Sequence, residues 1–479
     1  MLGESRNTFH RRGFLDFSVT GLGAAALFGL LDQGRTTGAE KKKGSSPHPP
    51  AKAKRAIHIC LIGGLSQVDS FDYKPELDKL HGKALPGKDR PKVFFNNVGQ
   101  LRKSEWKFRQ RGESGLWISD LFPHLATVAD ELTVIRSMVA DTGNHMPAMF
   151  QQNSGFQSNG FPSLGSWLSY GLGNETDSLP TFVVLPDARS LPNGGASNWS
   201  NGFLPARHQG TLFASGKQPI RNLFADEKIS NKAEKDALDL LASINQTHLA
   251  RRNENELLKA RIRAYELAVK MQASVPEVID FADEPKSITR LYGLDQKETA
   301  DCGRRCLLTR RLLESGVRFV QLFSGGAFGG KPRHGWDGHE NNRTNHLREA
   351  KMIDRPIAGL LKDLKQRGML KDTLILFTSE FGRTPFTQSA ANVLGLGRDH
   401  NHEGFSVWMA GAGLKKGIAH GQTDDVGWRA VADPVTWPDF HATVLHLLGI
   451  NHEALSYYHN GINRRLTNVH GEVVKKLLA

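Results

Sequence analysis

Short apolar runs bounded by glycine, proline or polar residues recur along the chain. Each is about four to eight residues long, which is typical of strands buried on both faces of a parallel sheet. The pattern predicts strands at 56–63, 132–137, 180–186, 317–323, 372–379 and 407–410. Because glycines close several of these runs, we expect loops that begin directly at the strand ends.

Amphipathic stretches with helical spacing lie between these runs. Helices are predicted at 302–315, at 348–367 before Gly368, and at 439–448, with a helix and a turn within 149–168. Residues 231–275 carry many charges at helical spacing, which predicts a helical insertion. Alternating strands and helices indicate an α/β fold: a doubly wound, mostly parallel sheet flanked by helices, with that inserted helical segment.

Residues 1–55 are predicted to be a twin-arginine export signal followed by a linker. Arg11 and Arg12 precede the apolar run 17–31, which is too short for a stable transmembrane anchor. A buried amphipathic helix is the alternative interpretation of this run. The signal predicts an exported protein, periplasmic or at the cell surface, whose folded domain spans residues 56–479.

Composition supports a folded enzyme-sized domain and argues against a nucleic-acid-binding protein. The chain has 479 residues, 39% hydrophobic, which is ample material for a core. Its formal net charge is +13, but about half of that excess falls within residues 1–55. The remaining basic residues form no stripe interleaved with aromatics, so no nucleic-acid partner is expected. A mildly basic surface suits an anionic substrate, although it equally serves solubility.

Polar clusters follow the predicted strands or lie in glycine-rich loops. The clusters are Ser66 to Asp72, Asn144 to Pro147, His334 to Asn341, Ser379 to Thr384 and Arg398 to His402. Their carboxylates and imidazoles are the ligands that divalent metals prefer. Each cluster alone is also compatible with a solvated turn. Their repeated position after strands favours one shared site at the carboxyl edge of the sheet.

Six segments carry a resemblance to a known family over nearly the whole chain. They read GGLSQVDSFDYKP, GWDGHENN, TSEFGRTP, GRDHNHEGF, AGAGLKKGIAHGQTDD and PDFHATVLHLLGI. The chain resembles the exported bacterial family known as domain of unknown function 1501. That family is similar to the alkaline phosphatase and sulfatase superfamily. The resemblance implies a fold of that type, one or two divalent metals at the sheet edge, and transfer of phosphoryl or sulfuryl groups.

The resemblance also implies individual site residues. The implied metal is zinc, manganese, calcium or magnesium, with candidate ligands at Asp69, Asp337, His339, Glu380, His400 and His402. In the family pattern the residue after Glu380 is a further ligand. Phe381 stands there in this chain, so one ligand is lost or relocated.

His145 occupies the position where sulfatases carry their catalytic cysteine, within HMPAMFQQNSG. An imidazole cannot form the oxidised aldehyde of a sulfatase, so ordinary sulfatase chemistry is not expected. We consider three alternatives for the residue: direct attack by metal-activated water, a phosphohistidine route, or no catalysis.

Arg383 and Arg398 are candidates for gripping a substrate anion, or alternatively for ion pairs with neighbouring carboxylates. The leading hypothesis is an exported metal-dependent hydrolase of phosphate or sulfate esters, acting on an anionic small molecule or on extracellular polysaccharide. The competing hypotheses are a metal-containing binding or scaffold protein without catalysis, and a transferase that uses His145 covalently.

Overall fold

The computed structural model describes residues 48–86, 91–214, 219–220, 230–251, 256–326 and 335–479. Its centre is a nine-stranded sheet, and most neighbouring strands in it run parallel. The strands of this sheet, in chain order, are β1 Arg55–Leu61, β4 Leu132–Val139, β5 Phe182–Leu185, β6 Thr211–Leu212, β7 Phe319–Ser324, β8 Thr373–Ser379, β11 Phe405–Gly411, β12 Ile418–His420 and β15 Val435–Thr436. The main path across it is β12-β4-β11-β8-β1-β7-β5-β6, and β15 pairs with β4.

Two-stranded pairs stand outside the central sheet. They are β2 Phe108–Arg111 with β3 Leu116–Ser119, β9 Gly382–Thr387 with β10 Arg398–Asn401, β13 Gln422–Thr423 with β14 Ala430–Ala432, and β16 Tyr457–His459 with β17 Ile462–Arg464. The pair β9–β10 is fully buried and follows β8 directly. The pair therefore lies at the carboxyl edge of the sheet, beside the end of β8.

Helices cover both faces of the sheet. They are α1 Pro75–Leu80, α2 His145–Ser154, α3 Leu164–Leu172, α4 Asn231–Ala250, α5 Glu256–Ile279, α6 Lys286–Leu291, α7 Ala300–Glu314, α8 Asn342–Gln366 and α9 Trp437–Leu447. Two large apolar clusters separate these helices from the sheet. One contains side chains of α7 and α8, and the other contains side chains of α3 and α9.

The predicted fold class is confirmed: the chain forms a mostly parallel sheet flanked by helices on both faces. Every predicted strand has a counterpart, and the helices predicted at 302–315, 348–367 and 439–448 correspond to α7, α8 and α9. The stretch 149–168, predicted to hold a helix and a turn, covers the end of α2 and the first part of α3. The charged stretch 231–275 falls on α4 and α5. The predicted export signal lies within residues 1–47, outside the described residues. Within the described part of the chain, no helix has the length and apolar character needed to cross a membrane.

Strand direction decides where the functional loops lie. β1, β5, β7 and β8 run parallel. β11 is antiparallel to both β8 and β4, so β4 points the same way as β8. The loops after β1, β4, β7 and β8 therefore all open at one edge of the sheet, where α/β proteins bind ligands.

Two fully buried histidines make the fold sensitive to acid. Burial and the proximity of His441 lower the pKa of His58 to about 3, and burial lowers the pKa of His441 to about 4. An unfolded histidine has a pKa of about 6.5, so below that pH the unfolded chain binds more protons than the folded one. The stability linked to these residues is complete above about pH 6.5 and is lost as the pH falls towards 4.

We expect each of these histidines to contribute about 1.4 kcal/mol of lost stability per pH unit in that window. Urea unfolding between about pH 7 and about pH 5, with a chelator present, measures the slope. His441→Gln, which keeps a donor for the Gln152 carbonyl, should reduce the slope by about one proton. Equal slopes for both proteins would contradict the assignment.

Candidate metal centre

Four side chains from distant parts of the chain bring metal-binding atoms to one point at the carboxyl edge of the sheet. The donor group consists of His145, Asp337, His339 and His400, and its ligand atoms all lie within 4.8 Å of one another. Nε2 of His339 lies 2.6 Å from Oδ1 of Asp337. The Nε2 atoms of His145 and His400 lie 3.4 and 3.5 Å from the same oxygen. The site is therefore compact enough for a single ion.

The outer nitrogen, Nδ1, of each imidazole in the donor group faces an oxygen that accepts a hydrogen bond. The three contacts are His145 to the Glu380 carboxylate at 2.8 Å, His400 to the Gly143 carbonyl at 2.6 Å, and His339 to the side-chain carbonyl of Gln388. In the tautomer that carries its hydrogen on Nδ1, each ring donates to this oxygen and turns the lone pair of Nε2 towards the centre. This is the arrangement by which proteins orient metal-binding histidines.

The Nε2 atoms of His339 and His400 are placed more favourably for binding a cation than for contacting each other. Nε2 of His339 and Nε2 of His400 are 2.9 Å apart. With both hydrogens on Nδ1, two lone pairs face each other at that distance, and this contact is repulsive unless a positive charge lies between them. Three imidazole nitrogens and one carboxylate oxygen match zinc in donor type and in number. Calcium and magnesium prefer sites made mainly of oxygen, so the residues fit these ions less well.

Charges around the donor group prepare it for a cation. Burial by itself raises the pKa of Asp337, but Arg383 and the surrounding imidazoles outweigh burial and hold this pKa well below its ordinary range. Burial keeps the pKa of His400 well below its ordinary value. Burial also acts to lower the pKa of His145, but the Asp337 and Glu380 carboxylates raise it overall. A metal binding at His145 therefore competes with a proton.

Glu380 lies behind His145 instead of within the donor group. Its Oε1 accepts hydrogen bonds from Nδ1 of His145 and from the backbone N–H of Gly63, each at 2.8 Å. Gly63 has a φ of +117°, and a Cβ added there would lie 2.5 Å from the backbone nitrogen of Asp337. The glycine thus lets the loop after β1 pass close to the loop that carries Asp337, and Glu380 joins the loop after β1 to His145.

Asp69 lies outside the donor group and pairs with an arginine. Its Oδ2 accepts hydrogen bonds from Nε of Arg398 at 2.9 Å, from Oγ of Ser66 at 2.6 Å and from Nδ2 of Asn342 at 2.9 Å. Burial alone would raise the pKa of Asp69, but Arg398 and Ser66 hold it below its ordinary value. The residue is a buried anion with protein partners on its oxygens.

The two candidate anion-binding arginines are both fully buried. Arg383 donates to Oδ1 of Asp337 at 2.6 Å and to the carbonyls of Gly63, Gly64 and Arg398. Arg398 donates to Asp69 and to the carbonyls of Thr384, Pro385, Arg102 and Lys103. Both guanidinium groups thus bind protein partners. This matches the second of the two alternatives for these arginines, ion pairs with carboxylates, and not the binding of a substrate anion.

His402 stands near the site but outside the donor group. It is partly exposed, and its Nε2 lies 4.0 Å from the neighbouring Glu403 carboxylate. Of the two candidate histidines on this segment, only His400 contributes to the donor group. β10 ends at Asn401, so the chain leaves the buried hairpin before His402.

Comparison with known proteins identifies the family. Residues 53–478 match the family described as protein of unknown function, DUF1501. The chain belongs to this family. No curated protein sequence matches the chain. The domain of unknown function therefore accounts for nearly all of the sequence beyond the predicted export signal and linker.

Solved structures similar to this DUF1501 chain come from the alkaline phosphatase and sulfatase group, at low similarity. The lipoteichoic acid synthase LtaP from Listeria monocytogenes has a TM-score of 0.38 and 10% identity, covering 83% of this chain and 73% of its own. A protein in the alkaline phosphatase superfamily from Vibrio parahaemolyticus has a TM-score of 0.36 and 10% identity, covering 91% and 79%. The PsFucS1 sulfatase from Pseudoalteromonas sp. has a TM-score of 0.36 and 14% identity, covering 84% and 68%. Likeness at this level carries no conclusion about the activity of this chain.

Two phenylalanines that were not among the residues predicted from the sequence pack against the candidate metal centre. The Phe94 ring lies 5.0 Å from the His400 ring, and the Phe95 ring lies 5.1 Å from the His339 ring, between centroids. Phe381 packs against the rings of His145 and His400 from within the protein. An adjacent pair of aromatics directly after Val93 is a weak signal, because such apolar runs usually belong to a core.

Proposed function

We propose that this chain is a metal-dependent hydrolase of phosphate or sulfate esters, with its site at the donor group. The observation that carries the proposal is the convergence of His145, Asp337, His339 and His400 within 4.8 Å at the carboxyl edge of the sheet. The donor group lies close to the surface, since the side chains of His145 and His339 are 12% and 8% exposed.

Each residue of the donor group has a role that follows from its position. A bound divalent ion supplies charge neutralisation for an anionic ester and lowers the pKa of water. His339 and His400 would hold the ion through Nε2, with their outer nitrogens fixed by Gln388 and Gly143. His145 belongs to the same set, and Glu380 fixes its orientation. We therefore assign His145 as a metal ligand in preference to a covalent nucleophile.

The proposal extends to location and substrate. The arginine pair at Arg11 and Arg12 followed by the apolar run 17–31 supports export by the twin-arginine route. An exported hydrolase meets extracellular esters, so we propose an anionic ester, free or carried on a polysaccharide, as the substrate. Zinc is the ion we propose, from the chemistry of the donor set.

A second candidate function is a metal-containing binding or scaffold protein without catalysis. Four protein ligands would fill the coordination shell that zinc usually has in structural sites, whereas catalytic zinc sites usually keep one position open. Arg383 and Arg398 are buried and committed to protein partners, so they are not available to an incoming anion. These two observations favour a metal site with no position open to a substrate. An experiment must therefore measure metal binding and ester turnover separately.

Metal analysis combined with a panel of chromogenic phosphate and sulfate esters tests the proposal. We expect about one zinc per chain and turnover of at least one ester class. His145→Ala should reduce both the zinc content and the turnover by tenfold or more, the order of loss seen when residues around a bound metal are removed. His402→Ala is the matched control and should retain both. Bound metal without turnover on any ester would favour the binding protein. Labelled phosphate trapped on the wild type and lost in His145→Ala would favour the covalent route.

A further inference from the structure

Two exposed aromatic rings form a corner beside the donor group. Phe94 and Phe95 are 48% and 47% exposed, although phenylalanine is usually buried. Their rings are nearly perpendicular, at 84°, with centroids 4.9 Å apart. One face of this corner packs on the rings of His339 and His400, and the rest of it is open to solvent.

The corner is held in place by the same segment that carries a metal ligand. The backbone N–H of Phe95 donates to Oδ2 of Asp399 at 3.0 Å, and Asp399 is fully buried directly before His400. Phe94 and Phe95 therefore have a fixed position relative to the donor group. Such anchoring is not needed for two side chains that merely happen to be exposed.

Exposed apolar side chains also lie on a loop that is hydrogen-bonded to the segment after Phe95. Val393 and Leu396 are 48% and 51% exposed. Their loop is tied to the loop after Phe95, because the N–H of Gln100 donates to the Val393 carbonyl at 3.1 Å. A group of exposed apolar side chains next to a polar centre is typical of a ligand-binding surface.

We propose that Phe94 and Phe95 bind the flat apolar group of the substrate, and that the preferred substrate is an aryl ester. This inference rests on the proposed function, because it names the organic part of the ester whose anionic part meets the metal. A flat ring in the corner stacks on one phenylalanine and meets the other edge to face, which are the two favourable aromatic geometries. The committed arginines add to the argument, since the organic group must then supply much of the binding.

Binding of two phosphonates that differ only in the organic group tests the inference without requiring turnover. The zinc-loaded protein is titrated calorimetrically with phenylphosphonate and with methylphosphonate. We expect phenylphosphonate to bind about tenfold more tightly, the effect of burying part of one ring. Phe94→Ala and Phe95→Ala should each remove most of this preference, whereas Phe95→Leu should keep part of it. Trp117→Ala is the control. Trp117 is also an exposed aromatic residue, at 37%, but it lies on β3 and is not part of the corner formed by Phe94 and Phe95.

Each outcome has a defined meaning. A phenyl preference that depends on both phenylalanines supports the inference; if no ester is hydrolysed, the aryl-binding role of Phe94 and Phe95 stands, while the hydrolase proposal and the aryl ester as its substrate fail. Equal binding of the two phosphonates overturns the inference even if esters are hydrolysed. Tighter binding of a sugar phosphate than of phenylphosphonate also overturns it and indicates a carbohydrate. Binding of neither phosphonate to the zinc-loaded protein overturns both proposals.

Discussion

Replacing Asp69 by asparagine is expected to destabilise the fold by about 3–5 kcal/mol while leaving the metal content unchanged. The Asp69 carboxylate and the Arg398 guanidinium are both 0% exposed and are joined at 2.9 Å. Removing one charge of such a pair leaves the other buried without compensation, and that is more costly than losing the pair as a whole. Asparagine keeps the size and part of the hydrogen bonding, so the effect reports mainly the charge.

Urea unfolding at neutral pH measures the loss of stability, and elemental analysis of the same preparations measures the metal. The matched control is the double variant Asp69→Leu with Arg398→Met, which removes both charges and should recover much of the lost stability. A variant that keeps its stability but loses its metal would show that Asp69 is a ligand, as the family resemblance implies.

Much of the fold was predictable because buried strands in this protein are short and nearly continuous in apolar residues. The run at 132–137 becomes β4, and the run at 372–379 becomes β8. Strand direction was less accessible. β11 is antiparallel to both neighbours, yet it is buried along its full length like the parallel strands. Its pattern of side chains therefore carries no sign of its direction.

The site was predictable only in part because its chemistry depends on which polar groups meet. Asp337 and His339 converge as expected of residues beyond a strand end, whereas His400 reaches the same point from within β10. Asp69 and Asp337 are both buried aspartates paired with arginines, and the partner of Asp69 lies 329 positions away. That pairing is set by the hairpin of β9 and β10, in which His400 lies opposite Arg383. Composition and spacing do not reveal such a register.

Replacing Asp337 by asparagine is expected to remove the metal, with an affinity loss greater than the roughly 10–100-fold typical of outer-shell partners. Asp337 is the anionic member of the donor group, and all three imidazoles approach its Oδ1. An amide oxygen in that position lacks the charge that draws a divalent ion among three neutral nitrogens. Zinc titration against a competing chelator measures the affinity, with His402→Ala as the control that should bind as the wild type does.

Thermal stability provides the second measurement, because a ligand that binds only the folded state stabilises it by mass action. Added zinc at about 100 times its dissociation constant should stabilise the wild type by about 2.7 kcal/mol and the Asp337→Asn variant hardly at all. The Asp69→Asn variant should respond to zinc as strongly as the wild type, from a lower starting stability. Two buried aspartates, each paired with an arginine, would then differ in one property, the presence of imidazoles around the carboxylate. Undiminished zinc stabilisation of Asp337→Asn would mean that the ion sits elsewhere, and the donor group would be only a network of hydrogen bonds.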